Sequence, residues 1–108
     1  MKGTNLGEFE ELVLLTIGVL QEEAYGIAIK TDIKKRTGRN PSIGALHSAL
    51  TRLEKKGFLL SNMEGATKDR RGRRKRFFSL TNFGVITLRE IYELRKEMVT
   101  SIPNPAIS

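Results

Sequence analysis

SIGALHSALTRLEKKG (residues 42–57), FLLSNME (58–64) and KDRRGRRKRFFSL (68–80) are the stretches whose reading decides the fold. In the first, Leu46, Leu50 and Leu53 recur at spacings of four and three, the period of a helix with one buried stripe. The rest of that helix carries small or polar groups: Gly44, Ala45, His47, Ser48, Thr51 and Arg52. Ser42 suits the N-cap, where its hydroxyl accepts from an amide of the first turn. Asn40 with Pro41 at the first helical position is the competing start. Gly57 ends the helix. Residues 58–64 and 75–80 read as two short strands, with Phe78 and Leu80 alternating toward a core. Residues 65–74 between them are polar and Gly-rich and form an exposed connection.

A slim amphipathic helix followed by a hairpin with a cationic tip is the reading unit of a winged helix-turn-helix. The helix enters a groove of duplex DNA and the wing follows the phosphates. The expected class is mainly α with a small β-hairpin: a winged helix-turn-helix over residues 6–80 and a C-terminal dimerisation helix over 81–100. A flexible tail, 101–108, carries Pro103 and Pro105.

Outward from this unit, the pattern continues in both directions. Residues 6–21 place Leu6, Phe9, Val13, Ile17 and Leu20 at helical spacing, while Leu12, Leu14, Leu15 and Val19 widen the apolar surface. A helix apolar on two faces is expected to cover its own core and a second subunit; the alternative is a helix wrapped by its own domain. Residues 22–38 read as a turn and a helix, with Tyr25, Ile27, Ile29 and Ile33 inward and Lys30, Lys34, Lys35 and Arg36 outward. Gly38 is its C-cap. On the other side, Thr81 caps a helix over 82–99. Its stripe Leu88, Ile91, Leu94 and Met98 runs past any earlier element able to cover it. Phe9 and Val13 of the first helix, with Leu88, Ile91, Leu94 and Met98 of the last, are the expected dimerisation residues.

With 108 residues the chain is long enough for one domain. It has no cysteine, so disulfides and thiolate metal sites are excluded, and a reducing cytoplasm is the expected compartment. One histidine without a carboxylate cluster supports neither a metal site nor a catalytic centre, and no cofactor is expected. The longest apolar run is far short of a membrane span. The formal charge is +7, and residues 68–76 alone carry seven basic residues against Asp69. The first 23 residues hold five Glu against one Lys. Such polarisation presents one surface to a polyanion.

Arg73 and Arg74 are the first candidates for phosphate contact, followed by Arg70, Arg71 and Lys75, while Arg76 enters the strand. Ser42, Ala45, His47, Ser48 and Arg52 form the expected base-reading set on the recognition helix. His47 either meets DNA or bonds locally, and Tyr25 either offers its phenol to a phosphate or serves the core. The partner is thus double-stranded DNA. The alternative is a winged-helix protein-interaction module whose basic wing meets an acidic partner.

Leu6 to Leu20 (LGEFEELVLLTIGVL), AYGIAI (24–29), GALHSALTRLEKKGFL (44–59) and RRGRRKRFFSLTNFG (70–84) together resemble the PadR family of bacterial transcriptional regulators. Arg52-Leu53-Glu54, Gly57, Phe77-Phe78, Leu80-Thr81 and Gly84 match the family's pattern. The resemblance implies a homodimeric repressor on a pseudo-palindromic operator, its C-terminal helix packed on the N-terminal helix of its mate. It is closest to the small subgroup with a single dimerisation helix. The family has Tyr where this chain has His47, so no role of that phenol carries over. Some relatives bind aromatic effectors in the dimer interface, often against a Trp. This chain has none, so a small-molecule effector has no support in its residues.

Overall fold

The computed structural model describes residues 6–64 and 75–104. Its elements run α1 (Glu8–Leu20), a 3-10 turn (Gln21–Glu23), α2 (Gly26–Thr37), α3 (Ile43–Lys55), β1 (Leu59–Glu64), β2 (Lys75–Leu80) and α4 (Asn82–Ser101). This is the mainly helical winged-helix architecture with one antiparallel hairpin and a C-terminal helix. Residues 65–74, expected to form the exposed connection, lie outside the described residues, as do 1–5 and 105–108.

Local chemistry sets the element boundaries. Ser42 Oγ accepts the Ala45 amide at 3.0 Å, which decides the start of α3 in favour of Ser42 over Asn40. Gly38 and Gly57 take positive φ of 81° and 86° after α2 and α3, where a Cβ would be strained. Thr81 Oγ1 accepts the Gly84 amide at 2.9 Å and opens α4. α4 runs two residues beyond the expected 99, so Ser101 belongs to the helix rather than to the tail.

The core joins α1, α2, α3 and the hairpin through Val13, Leu14, Ile17, Ile29, Ile33, Leu46, Leu50, Leu53, Phe58 and Phe78. Ala49 completes the buried stripe of α3. In the hairpin, Leu59 pairs with Leu80 and Ser61 with Phe78. A third rung was not expected: Tyr25 bridges Phe77, and the Phe78 amide donates to the Ala24 carbonyl at 2.8 Å. The segment before α2 is thereby tied to β2.

Ile27 corrects the inward set of α2, since it is 60% exposed. It lies roughly 140° around the helix from the Ile29–Ile33 side, and fully buried Ala24 takes the inward place instead. Every residue of α4 after Ile91 is exposed. With a radius of gyration of 16.4 Å and a longest extent of 59 Å, the chain exceeds the ~13 Å radius typical of a compact domain this size.

Candidate nucleic-acid interface

With Leu46, Ala49, Leu50 and Leu53 packed inward, helical geometry aims Gly44, Ser48 and Thr51 directly outward, with Lys55 at the end of the line. All four are exposed. Thr51 was missing from the expected reading set, although its spacing of three from Ser48 and seven from Gly44 marks the same face. Ile43, the first residue of α3, is also exposed and offers an apolar contact of the kind that meets a thymine methyl.

The other expected readers flank this line. His47 leans into a cleft lined by Tyr25, Ile27, Leu50, Met63, Lys75 and Arg76, between α2, α3 and the hairpin. Ala45 lies on the opposite flank beside Phe9, Arg39 and Pro41. Ser42 spends an oxygen lone pair on its cap but keeps a hydroxyl proton to donate.

Tyr25 and Lys75 come together. The Lys75 ammonium sits 4.3 Å from the centre of the Tyr25 ring, whose edge meets Phe77 at 5.4 Å. The ring thus braces the base of the wing. Arg76 donates to Ser61 Oγ at 2.9 Å, and Ser61 donates to Glu54 of α3 at 2.9 Å, so this arginine is structural. Arg70, Arg71, Arg73 and Arg74 lie outside the described residues.

Arg52 is paired within the chain. Its Nε donates to Glu10 Oε2 at 2.5 Å, and Lys56 Nζ reaches Glu10 Oε1 at 3.1 Å. Arg52 is therefore engaged by α1 rather than aimed along the Ser48–Thr51 line. Glu10 itself is buried and also accepts the Gly7 amide at 3.1 Å. Burial pushes its carboxyl up, but Arg52, the Gly7 amide and Lys56 together outweigh that and hold it below its ordinary 4.5. A depressed folded value makes the stabilisation complete above the unfolded value and lost as pH falls through the folded one. Melting temperature should therefore drop more for the wild-type chain than for Glu10→Gln between about pH 6 and about pH 3. Equal losses would remove Glu10 from the acid response.

Three of the expected dimerisation residues are engaged within the chain's own fold. Val13 is wholly inside the chain's own core, and Ile91 is a buried residue of α4. Phe9 sits below the Arg39 guanidinium, 5.5 Å from its ring centre, on the α2–α3 side. The unpartnered apolar surface is instead a groove between α1 and α4, lined by Leu15, Leu88, Tyr92 and Val99 and edged by the Glu11–Arg95 ion pair. Leu94, Met98 and Val19 are exposed too.

Among the described residues no cluster of His, Asp or Glu could hold a metal ion, and no helix is long and apolar enough to cross a membrane.

Residues 14–90 match the model of the transcriptional regulator PadR-like family. Similar folds include a PadR-like transcription factor of Bacteroides fragilis, 22% identical with a TM-score of 0.74, the match covering 87% of this chain and 85% of the other. A PadR-like transcriptional regulator of Bacillus cereus is 22% identical with a TM-score of 0.70, over 87% and 86% of the two chains. FabT of Streptococcus pneumoniae, in complex with DNA, is 19% identical with a TM-score of 0.69, over 100% of this chain and 66% of the other. Among curated proteins, none matches in sequence.

Proposed function

Because the chain belongs to the PadR-like family of transcriptional regulators, we propose that it is a homodimeric repressor that binds a pseudo-palindromic operator in duplex DNA. Residues 6–80 serve as the reading domain and 81–100 as the dimerisation helix. The observation that carries this is the outer face of α3: an exposed line of small and hydroxyl-bearing residues, beside a hairpin whose connection holds most of the basic run 68–76. Slim side chains let a helix approach the floor of a major groove, and hydroxyls read base edges there. The complex of FabT with DNA supports the same use of this architecture.

The dimer has separate support. The α1–α4 groove is apolar, and the distal half of α4 carries Leu94, Met98 and Val99 exposed, with nothing among the described residues to cover them. A second copy packed there buries both faces. Two α3 helices then lie in successive major grooves, with half-sites about 34 Å apart, and the bound dimer obstructs polymerase.

The test is selection from randomised duplexes, followed by titration of the winning site against random competitor. Two chains per duplex and a preference of at least about 1,000-fold over random sequence are expected. Ser48→Ala and Thr51→Ala should each change which bases win at one position in each half-site, at a cost of about 1–3 kcal/mol for the original base. Binding that stays indifferent to sequence throughout would overturn the reading.

A further inference from the structure

Glu10 is the one buried charged side chain among the described residues. The core shared by α1 and α3, with Val13, Ile17, Leu50 and Leu53, is apolar. A carboxylate placed there loses hydration, and its two cationic partners stay partly in water, with Arg52 at 52% and Lys56 at 34% side-chain exposure. Arg52, the Gly7 amide and Lys56 outweigh that loss, but with partners this exposed the surplus adds only modest stability.

What the charge does achieve is geometric. Arg52 and Lys56 lie one turn apart on the α1-facing flank of α3, next to the outward line of Gly44, Ser48 and Thr51. On a groove-reading helix, cations at such positions take phosphates whatever the sequence. Here both are held by one carboxylate that is itself anchored to the Gly7 amide.

We propose that Glu10 is a positioning residue for DNA discrimination: it holds Arg52 and Lys56 against α1, withholds them from phosphate, and leaves reading to Gly44, Ser48 and Thr51. Non-specific affinity is given up and the ratio of specific to non-specific binding rises. This rests on the DNA-binding reading above.

The experiment measures duplex affinity by fluorescence anisotropy against salt concentration, for the selected site and for random duplex. In Glu10→Gln the amide keeps the shape but drops the charge. Its random-duplex affinity should rise about tenfold at low salt, with the slope of log K against log salt steeper by about 1–2. Adding Arg52→Gln and Lys56→Gln to that variant should return the slope to the wild-type value. Arg52→Gln alone should leave the wild-type slope unchanged, and this arm decides the matter even if Glu10→Gln folds poorly. A slope shallower by about one in Arg52→Gln would show that the guanidinium already meets a phosphate, and would overturn the proposal. So would an unchanged slope in a folded Glu10→Gln. If the wild-type chain ignores duplex DNA, the DNA-binding reading falls; if it binds and the slopes fail as described, only this inference does.

Discussion

Replacing Gly84 with Ala is expected to lower stability by about 3 kcal/mol and the melting temperature by about 15 °C. A Cβ at this position would stand 2.3 Å from the Phe58 carbonyl oxygen, well inside contact distance. That oxygen has little room to move. It accepts the Thr81 amide at 3.1 Å, while the Phe58 side chain is buried and its ring stacks on Phe83 at 4.8 Å. Thr81 closes the knot, donating to the Gly57 carbonyl at 2.7 Å and accepting from Gly84 at 2.9 Å. The end of α3, the start of β1 and the first turn of α4 therefore meet at one point. The helix propensity gained by Ala, about 1 kcal/mol, offsets only part of the clash. Gly44→Ala is the control: its methyl would meet nothing within 4 Å, and stability should hold or rise. Thermal denaturation followed by circular dichroism separates the two. A Gly84→Ala chain that melts with the wild type would show that this junction yields.

The second large effect is on binding. Arg73→Ala with Arg74→Ala should weaken affinity on the order of 10–100-fold for the selected site and for random duplex alike. Both residues belong to the densest positive run of the chain, which continues into β2 at Lys75 and Arg76. Contacts to phosphate carry no sequence information, so discrimination should survive while the salt slope flattens by about two units. A change in preferred sequence with an unchanged slope would place these arginines on base edges instead.

The two variants probe different kinds of information. Gly84 belongs to a pattern visible in the sequence, Leu80-Thr81 followed by Gly84, yet the reason for the glycine is a carbonyl 26 positions earlier in the chain. The cap function of Thr81 could be read locally, and so could Ser42, Gly38 and Gly57, because each acts within one helical turn of itself. Periodicity likewise placed Leu46, Leu50 and Leu53 in the core, since a stripe at helical spacing has one way to be buried.

Side chains that choose between neighbours were not legible. The partner that Arg52 takes, a buried carboxylate of α1, comes from 42 residues away. Val13 and Leu15 are both apolar in α1, and nothing local says that the first is sealed in the core while the second is left open. Ile27 reads inward from its type, but the rung between Tyr25 and Phe77 puts Ala24 against the core instead.

The sequence by itself therefore determined the helices, their caps, the hairpin, the charge polarisation and the family, all of which depend on spacing within about a turn or on composition. Tertiary structure alone decided which partners side chains such as Arg52, Val13, Leu15 and Ile27 meet. That depends on distant partners, and the free energy of burying an apolar or charged group is set by what packs against it, not by its neighbours in the chain.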